Sequence, residues 1–287
     1  MLRCACLALL ALCSFTAPTA AEVTVYTAKL IRTMEPAMPT ATAVAVEDGR
    51  IVAVGDVDSL EPVLRIKGGR IDRQFEDEVL IPGFIEPHVH PSLPAVLTQF
   101  PFVAPDDWSL PTGEFLGAKT PEAYKEKLTA LAAIHTDQAV PFIAWGYHPL
   151  WHGEIWREDL NEWFGDQPVI IWHRSFHEVI GNDAAWNMLG ISAEDAARVH
   201  DASWERGHFY ENGLKAVIGA FNFIFEPARY GKGMQNFLAM MHQSGVTTAL
   251  DMGTGIFGNP EQEIAGIRAV AEAYPVPARI ILTPIIV

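Results

Sequence analysis

The chain has 287 residues, 49% of them hydrophobic and 10% aromatic, with a formal net charge of −15. That apolar content supplies a packed core in one large or two smaller domains and excludes a disordered chain. The acidic balance, with no Lys/Arg cluster to offset it, excludes nucleic-acid binding, because phosphate is repelled.

The first 21 residues read as a secretory signal peptide. Arg3 supplies a positive start, residues 4–15 an apolar stretch, and Ala17-Pro18-Thr19-Ala20-Ala21 small residues for cleavage after Ala21. The stretch is shorter than the roughly 20 apolar residues of a membrane span. A secreted or periplasmic protein with no stable membrane span after cleavage is therefore expected. An uncleaved anchor is the alternative, and the bulk of Leu12 argues against lipid attachment at Cys13. All three cysteines, Cys4, Cys6 and Cys13, fall inside this segment. The mature chain then has no thiol for a disulfide, a metal or a nucleophile.

Residues 22–80 read as a small β-sandwich domain. Val23, Val25 and Leu30 mark a first strand, and residues 71–81 a later one. Segments 43–46 and 51–54 flank Asp48-Gly49, a two-residue hairpin signal, because glycine accepts positive φ. From residue 81 onwards strands alternate with helices. Thr120 caps and Pro121 opens a helix striped by Tyr124, Leu128, Leu131 and Ala132. Residues 142–147 form a buried strand, 157–164 a helix, and 168–173 a strand. Asn182 caps a helix that Gly190 stops. Residues 232–244 form a helix, 246–252 a strand, 260–274 a helix and 278–287 a last strand. The expected fold is α/β: about five strands, starting near 81, 141, 168, 246 and 278, of a (β/α)8 TIM-like barrel. Eight strands close such a barrel. Residues 81–287 thus read as an incomplete barrel and the chain as the N-terminal fragment of a longer protein; a compact stand-alone fold is the alternative.

The run Leu80-Ile81-Pro82-Gly83-Phe84-Ile85-Glu86-Pro87-His88-Val89-His90-Pro91 carries the most chemistry. Side chains alternate along a strand, so His88 and His90 point to one side while Val89 points to the other. Two imidazoles at the end of an apolar strand form a partial site for a divalent metal, which takes histidine nitrogen at roughly 2.0–2.1 Å. Histidine and carboxylate ligands suit Zn2+ first, and iron, manganese or nickel next.

This run resembles the first barrel strand of the amidohydrolase superfamily of metal-dependent hydrolases. Residues 43–55 resemble the hairpin that precedes it there. Trp145-Gly146-Tyr147, His173-Arg174-Ser175-Phe176-His177 with Asn182, Gly207-His208-Phe209-Tyr210-Glu211 and Gly245-Val246-Thr247-Thr248-Ala249-Leu250-Asp251 follow in the order of amidohydrolase family 3, which contains N-substituted formamide deformylase-like enzymes. The resemblance runs from about residue 24 to the end. It implies that the small β-domain is completed by strands from a distant C-terminus. It implies one or two metal ions, held by His88, His90 and, through a carboxylate, Glu211. It also implies further histidines on strands five and six and a proton-shuttling aspartate on strand eight, with the strand-six and strand-eight positions beyond residue 287. The implied reaction is hydrolysis of an amide-like C–N bond by metal-activated water, with the fragment inactive alone.

Other positions are weighed singly. His177, His173 and Tyr147, at the ends of the second and third strands, are candidates to contact substrate. Asp251 also ends a strand, where barrel sites collect residues; a loop hydrogen bond is its plain alternative. For Glu211 the alternative is a surface carboxylate, and for His173 a buried structural histidine. His135, His152, His200, His208 and His242 are assigned no metal role. No Walker-type phosphate loop and no Gly-x-Ser-x-Gly elbow is present. The expected partner is a small-molecule substrate, with a homo-oligomer compatible. A non-catalytic small-molecule binding protein on the same scaffold is the alternative function.

Overall fold

The computed structural model describes residues 22–285. The expected signal segment, with Cys4, Cys6 and Cys13, and the last two residues lie outside the described residues. Among those described, no helix is long and apolar enough to cross a membrane. The chain divides into two compact units, one ending at Pro82 and one beginning at Gly83.

The first unit contains β1 (Val23–Arg32), β2 (Thr40–Glu47), β3 (Arg50–Gly55), α1 (Val57–Lys67) and β4 (Gly69–Leu80). They form one mixed sheet in the order β3-β2-β1-β4, with β1 and β4 parallel. The β2–β3 hairpin turns through Asp48 (φ 51°) and Gly49 (φ 70°), the paired positive dihedrals of a tight hairpin. Among the described residues this unit has one sheet, without the second sheet of the expected composite β-sandwich. Asp56 and Ser59 make a capping box, with each side chain accepting from the other's backbone N–H at 2.8 and 2.9 Å. That cap starts α1, whose Leu60 is buried against Val23, Val25, Ala43 and Ala45. A helix thus covers one face of the sheet and supplies the crossover that parallel β1 and β4 require.

The second unit runs β5 (Phe84–Val89), α2 (Ser92–Leu97), the hairpin β6 (Trp108–Leu110) and β7 (Gly113–Phe115), α3 (Pro121–Ala133), β8 (Phe142–Tyr147), α4 (Pro149–His152), α5 (Arg157–Phe164) and β9 (Val169–His173). It continues with β10 (Glu178–Gly181), α6 (Asp183–Met188), α7 (Ala193–Ala197), β11 (Ala202–Ser203), β12 (His208–Tyr210) and α8 (Asn212–Val217). A 3-10 segment (Ile218–Phe225), α9 (Pro227–Gln243), β13 (Val246–Thr254), α10 (Pro260–Ala273) and β14 (Arg279–Pro284) complete it.

The five expected barrel strands divide between two sheets, and no closed barrel forms among the described residues. β14-β13-β5 is a three-stranded parallel sheet; β11-β12-β10-β9-β8 is a five-stranded mixed sheet in which only β8 and β9 are parallel. The turn after β9 sets the antiparallel part of the larger sheet. Phe176 takes a positive φ of 72° and its N–H donates to the His173 carbonyl at 2.9 Å. The chain therefore doubles back as antiparallel β10, and β12 and β11 follow as a meander.

Burial separates the two sheets. β8 and β9 are buried on both faces: Ile143, Trp145, Ile170 and Trp172 pack into one cluster, and Phe142, Ala144, Val169 and Ile171 into another. In the three-stranded sheet Ala249, Ile280 and Leu282 pack with Met234, Leu238 and Ile267 of α9 and α10. The alternate residues Ile85 and Ile281 are 70% and 49% exposed.

Candidate metal centre

His88 and His90 lie at the C-terminal end of β5, and their rings sit 5.3 Å apart between centroids at an interplanar angle of 88°. The spacing thus brings both imidazoles to one place, as alternation along a strand requires. Val89, between them, turns into the cluster under α9 and α10.

His90 is fixed by its neighbour strand. β13 pairs in parallel with β5, setting Asp251 beside Val89. His90 Nδ1 donates to Asp251 Oδ1 at 3.2 Å, and the Asp251 side chain is 1% exposed. The Gly253 N–H donates to the same oxygen at 3.0 Å and the Thr254 hydroxyl to Oδ2 at 2.6 Å. With Gly253 and Thr254 donating to the same carboxylate, the bond to Asp251 is satisfied by a proton on His90 Nδ1. Nε2 is then the unprotonated nitrogen, the tautomer a metal ligand needs. Position 253 has to be glycine: a Cβ there would lie 2.8 Å from His90 Cε1 and 2.9 Å from Nδ1.

These residues fit two positions of a metal centre. A catalytic zinc takes three protein ligands plus water, and among the described residues no group of three or more His, Cys, Asp or Glu is placed to hold an ion. Glu211 does not join His88 and His90 in such a cluster. It caps α8, about half exposed, and accepts from His177 Nδ1 at 3.2 Å.

The remaining sequence candidates belong to the five-stranded sheet. Tyr147 is 3% exposed, and its hydroxyl donates to the Gly153 carbonyl at 2.8 Å and accepts from the Ile155 N–H at 3.1 Å. Burial raises its pKa far above the usual phenol value. His173 Nδ1 accepts from the Ser175 N–H at 3.0 Å and lies 3.4 Å from Glu178 Oε1. Burial lowers the His173 pKa, with Glu178 opposing. His177 is largely exposed. Sequence reasoning missed Glu178, which accepts from His208 Nε2 at 2.6 Å and whose pKa is lowered chiefly by that bond. Recognising residues 208–210 as a strand beside β10 would have found it. It also left Asp251 among substrate contacts, whereas its carboxylate is filled by His90, Gly253 and Thr254.

No family model matches the chain. Its fold is nevertheless that of solved metal-dependent hydrolases. An uncharacterized metal-dependent hydrolase from Pyrococcus horikoshii OT3 superposes with a TM-score of 0.66 at 16% identity, covering 92% of this chain and 48% of that one. One from Pyrococcus furiosus gives 0.63 at 15% identity, covering 91% and 50%. In sequence, the exoenzymes regulatory protein AepA of Pectobacterium carotovorum subsp. carotovorum is 27% identical over 245 residues, 80% of this chain and 49% of AepA. The chain spans about half the length of these relatives.

Proposed function

We propose that the chain is part of a metal-dependent hydrolase whose ion is held by His88 and His90 together with ligands from a longer protein. The observation that carries this reading is the His90–Asp251 bond. It sets one imidazole in the ligating tautomer beside a second imidazole, at the strand end of a fold shared with metal-dependent hydrolases. Relatives of about twice the length support a larger whole, as does the parallel sheet with exposed Ile85 and Ile281, since such sheets are normally covered on both faces.

A bound ion supplies a hydroxide at neutral pH, by lowering the pKa of its water to about 7, and polarises the substrate carbonyl. The chain's own residues prepare that site. His88 and His90 offer nitrogen ligands, Zn2+ being the first choice for such donors. Asp251 orients His90 through Nδ1, the Thr254 hydroxyl and the Gly253 N–H hold Asp251 in place, and Gly253 leaves room for the ring. The motif order supports an amide-like C–N bond as the target, within amidohydrolase family 3, and the leading segment supports export. Glu211 and His177 form an exposed pair suited to contact substrate or a second ion.

A second reading, a non-catalytic small-molecule binder, is favoured by the two-ligand count among the described residues and by a relative named as a regulatory protein. One assay separates them. The longer protein that contains this chain, with and without added Zn2+, is tested for hydrolysis of N-substituted amides and formamides beside its His88→Ala plus His90→Ala variant. Metal-dependent turnover lost in the variant supports the hydrolase. Absence of metal and turnover, with small-molecule binding retained, supports the binder.

A further inference from the structure

A cavity of about 350 Å³ opens between α9 and α10, its polar end joined to Ser92, two residues beyond His90. Such a volume suits a small ligand. Two aromatic rings form part of its wall, Phe225 and Phe257, edge to face at 5.0 Å between centroids. Two helix glycines keep it open. A Cβ at Gly266 would reach Tyr230 Cε1 at 3.4 Å, and one at Gly231 would meet only Val270 Cγ2 at 3.9 Å. Glycine inside a helix is unfavourable, so both positions give up helix stability at this opening.

The polar end has a definite sense. Tyr230 and Glu263 line the cavity. Burial raises the Tyr230 pKa to about 12, so its hydroxyl stays protonated. It donates to Ser92 Oγ at 2.7 Å, and Ser92 donates to Glu263 Oε1 at 2.6 Å. The Gly255 N–H donates to Glu263 Oε2 at 2.9 Å. Each of these donors is thus consumed inside the network, and the lone pairs of Glu263 and Tyr230 remain. A guest must bring donors, and beside a half-buried carboxylate the best donor is a cation. Aromatic walls accept an apolar body and add attraction for a positive head. The net charge of −15 raises the local concentration of cations.

We propose that this cavity binds a small amine, as its ammonium ion, with the charged head against Glu263 and Tyr230 and an apolar body against Phe225 and Phe257. The proposal does not rest on a metal at His88 and His90. Titration calorimetry of the full chain with 2-phenylethylamine, and with the uncharged 2-phenylethanol, tests it. The expected result is saturable one-to-one binding of the amine, with the alcohol at least about tenfold weaker, the difference expected of one charge-assisted hydrogen bond. Glu263→Gln should weaken the amine about tenfold and bring the two ligands level. Gly231→Leu, whose Cβ meets only Val270 Cγ2 at 3.9 Å, should abolish both while circular dichroism stays unchanged. No saturable amine binding, equal binding of the two ligands by the parent chain, or undiminished amine binding by Gly231→Leu overturns the proposal.

Discussion

Two regions of the second unit place imidazole beside carboxylate and use the pair differently. At the end of β5, one bond from Asp251 holds one nitrogen of His90, and the carboxylate is filled by neighbours that leave the other nitrogen outside the network. In the five-stranded sheet, His208 and His173 both turn toward Glu178, and His173 also takes the Ser175 N–H. His152 there is used at both nitrogens, Nε2 on the Ala118 carbonyl at 2.8 Å and Nδ1 on the His148 N–H at 3.1 Å. The residue types match; what differs is access, the His90 side chain being 26% exposed against 11% for His173 and 13% for His208. Burial follows the same division, with β8 and β9 covered on both faces and the β5 sheet on one.

Substitutions should therefore divide by region. The largest loss of stability belongs to the five-stranded sheet. Trp172 is fully buried, and Trp172→Ala should cost about 4 kcal/mol in urea unfolding, with zinc affinity per folded molecule unchanged. Asp251→Asn should give the converse: with folding retained in circular dichroism, zinc affinity falls roughly 10- to 100-fold, as for loss of a ligand's orienting partner.

Acid should act through the structural histidines. Burial lowers the His152 pKa from 6.5 to about 4. The unfolded chain takes up that proton first, so His152 contributes stability above about pH 6.5 that is lost as the pH falls toward 4. Glu178, with its lowered pKa, acts in the same direction. Glu263, raised by burial, acts oppositely: its contribution is present at low pH and is lost as the pH rises through its folded value. Tm should drop between pH 6.5 and 4, and less steeply in His152→Gln. The smallest effect is expected of His208→Ala, about 1 kcal/mol, since Glu178 remains partly in water; a larger loss coupled to lost zinc binding would erase the distinction between the regions.

Local patterns in the sequence held up where the physics is local. The Asp48-Gly49 hairpin, the Thr120-capped α3, buried β8 and β9, and the meeting of His88 and His90 all follow from periodicity and capping. Pairing between strands is not local. Asp251 and His90 are 161 residues apart, and no pattern near residue 84 says that β13 will lie beside it. The reversal at Phe176 depends on one positive dihedral, and it sends the chain into antiparallel β10, which β12 then joins. For the same reason the partners that decide each histidine's role, Asp251, Glu178 and the Ala118 carbonyl, are visible only once the sheets are assembled.

Cobalt binding tests the account most directly, because Co2+ held by histidine nitrogens in a zinc-like site absorbs in the visible range. Wild-type protein should develop that absorption. His88→Ala plus His90→Ala should abolish it, while His173→Ala plus His208→Ala leaves it intact. Absorption that survives the first pair and disappears with the second would contradict a metal centre at the end of β5.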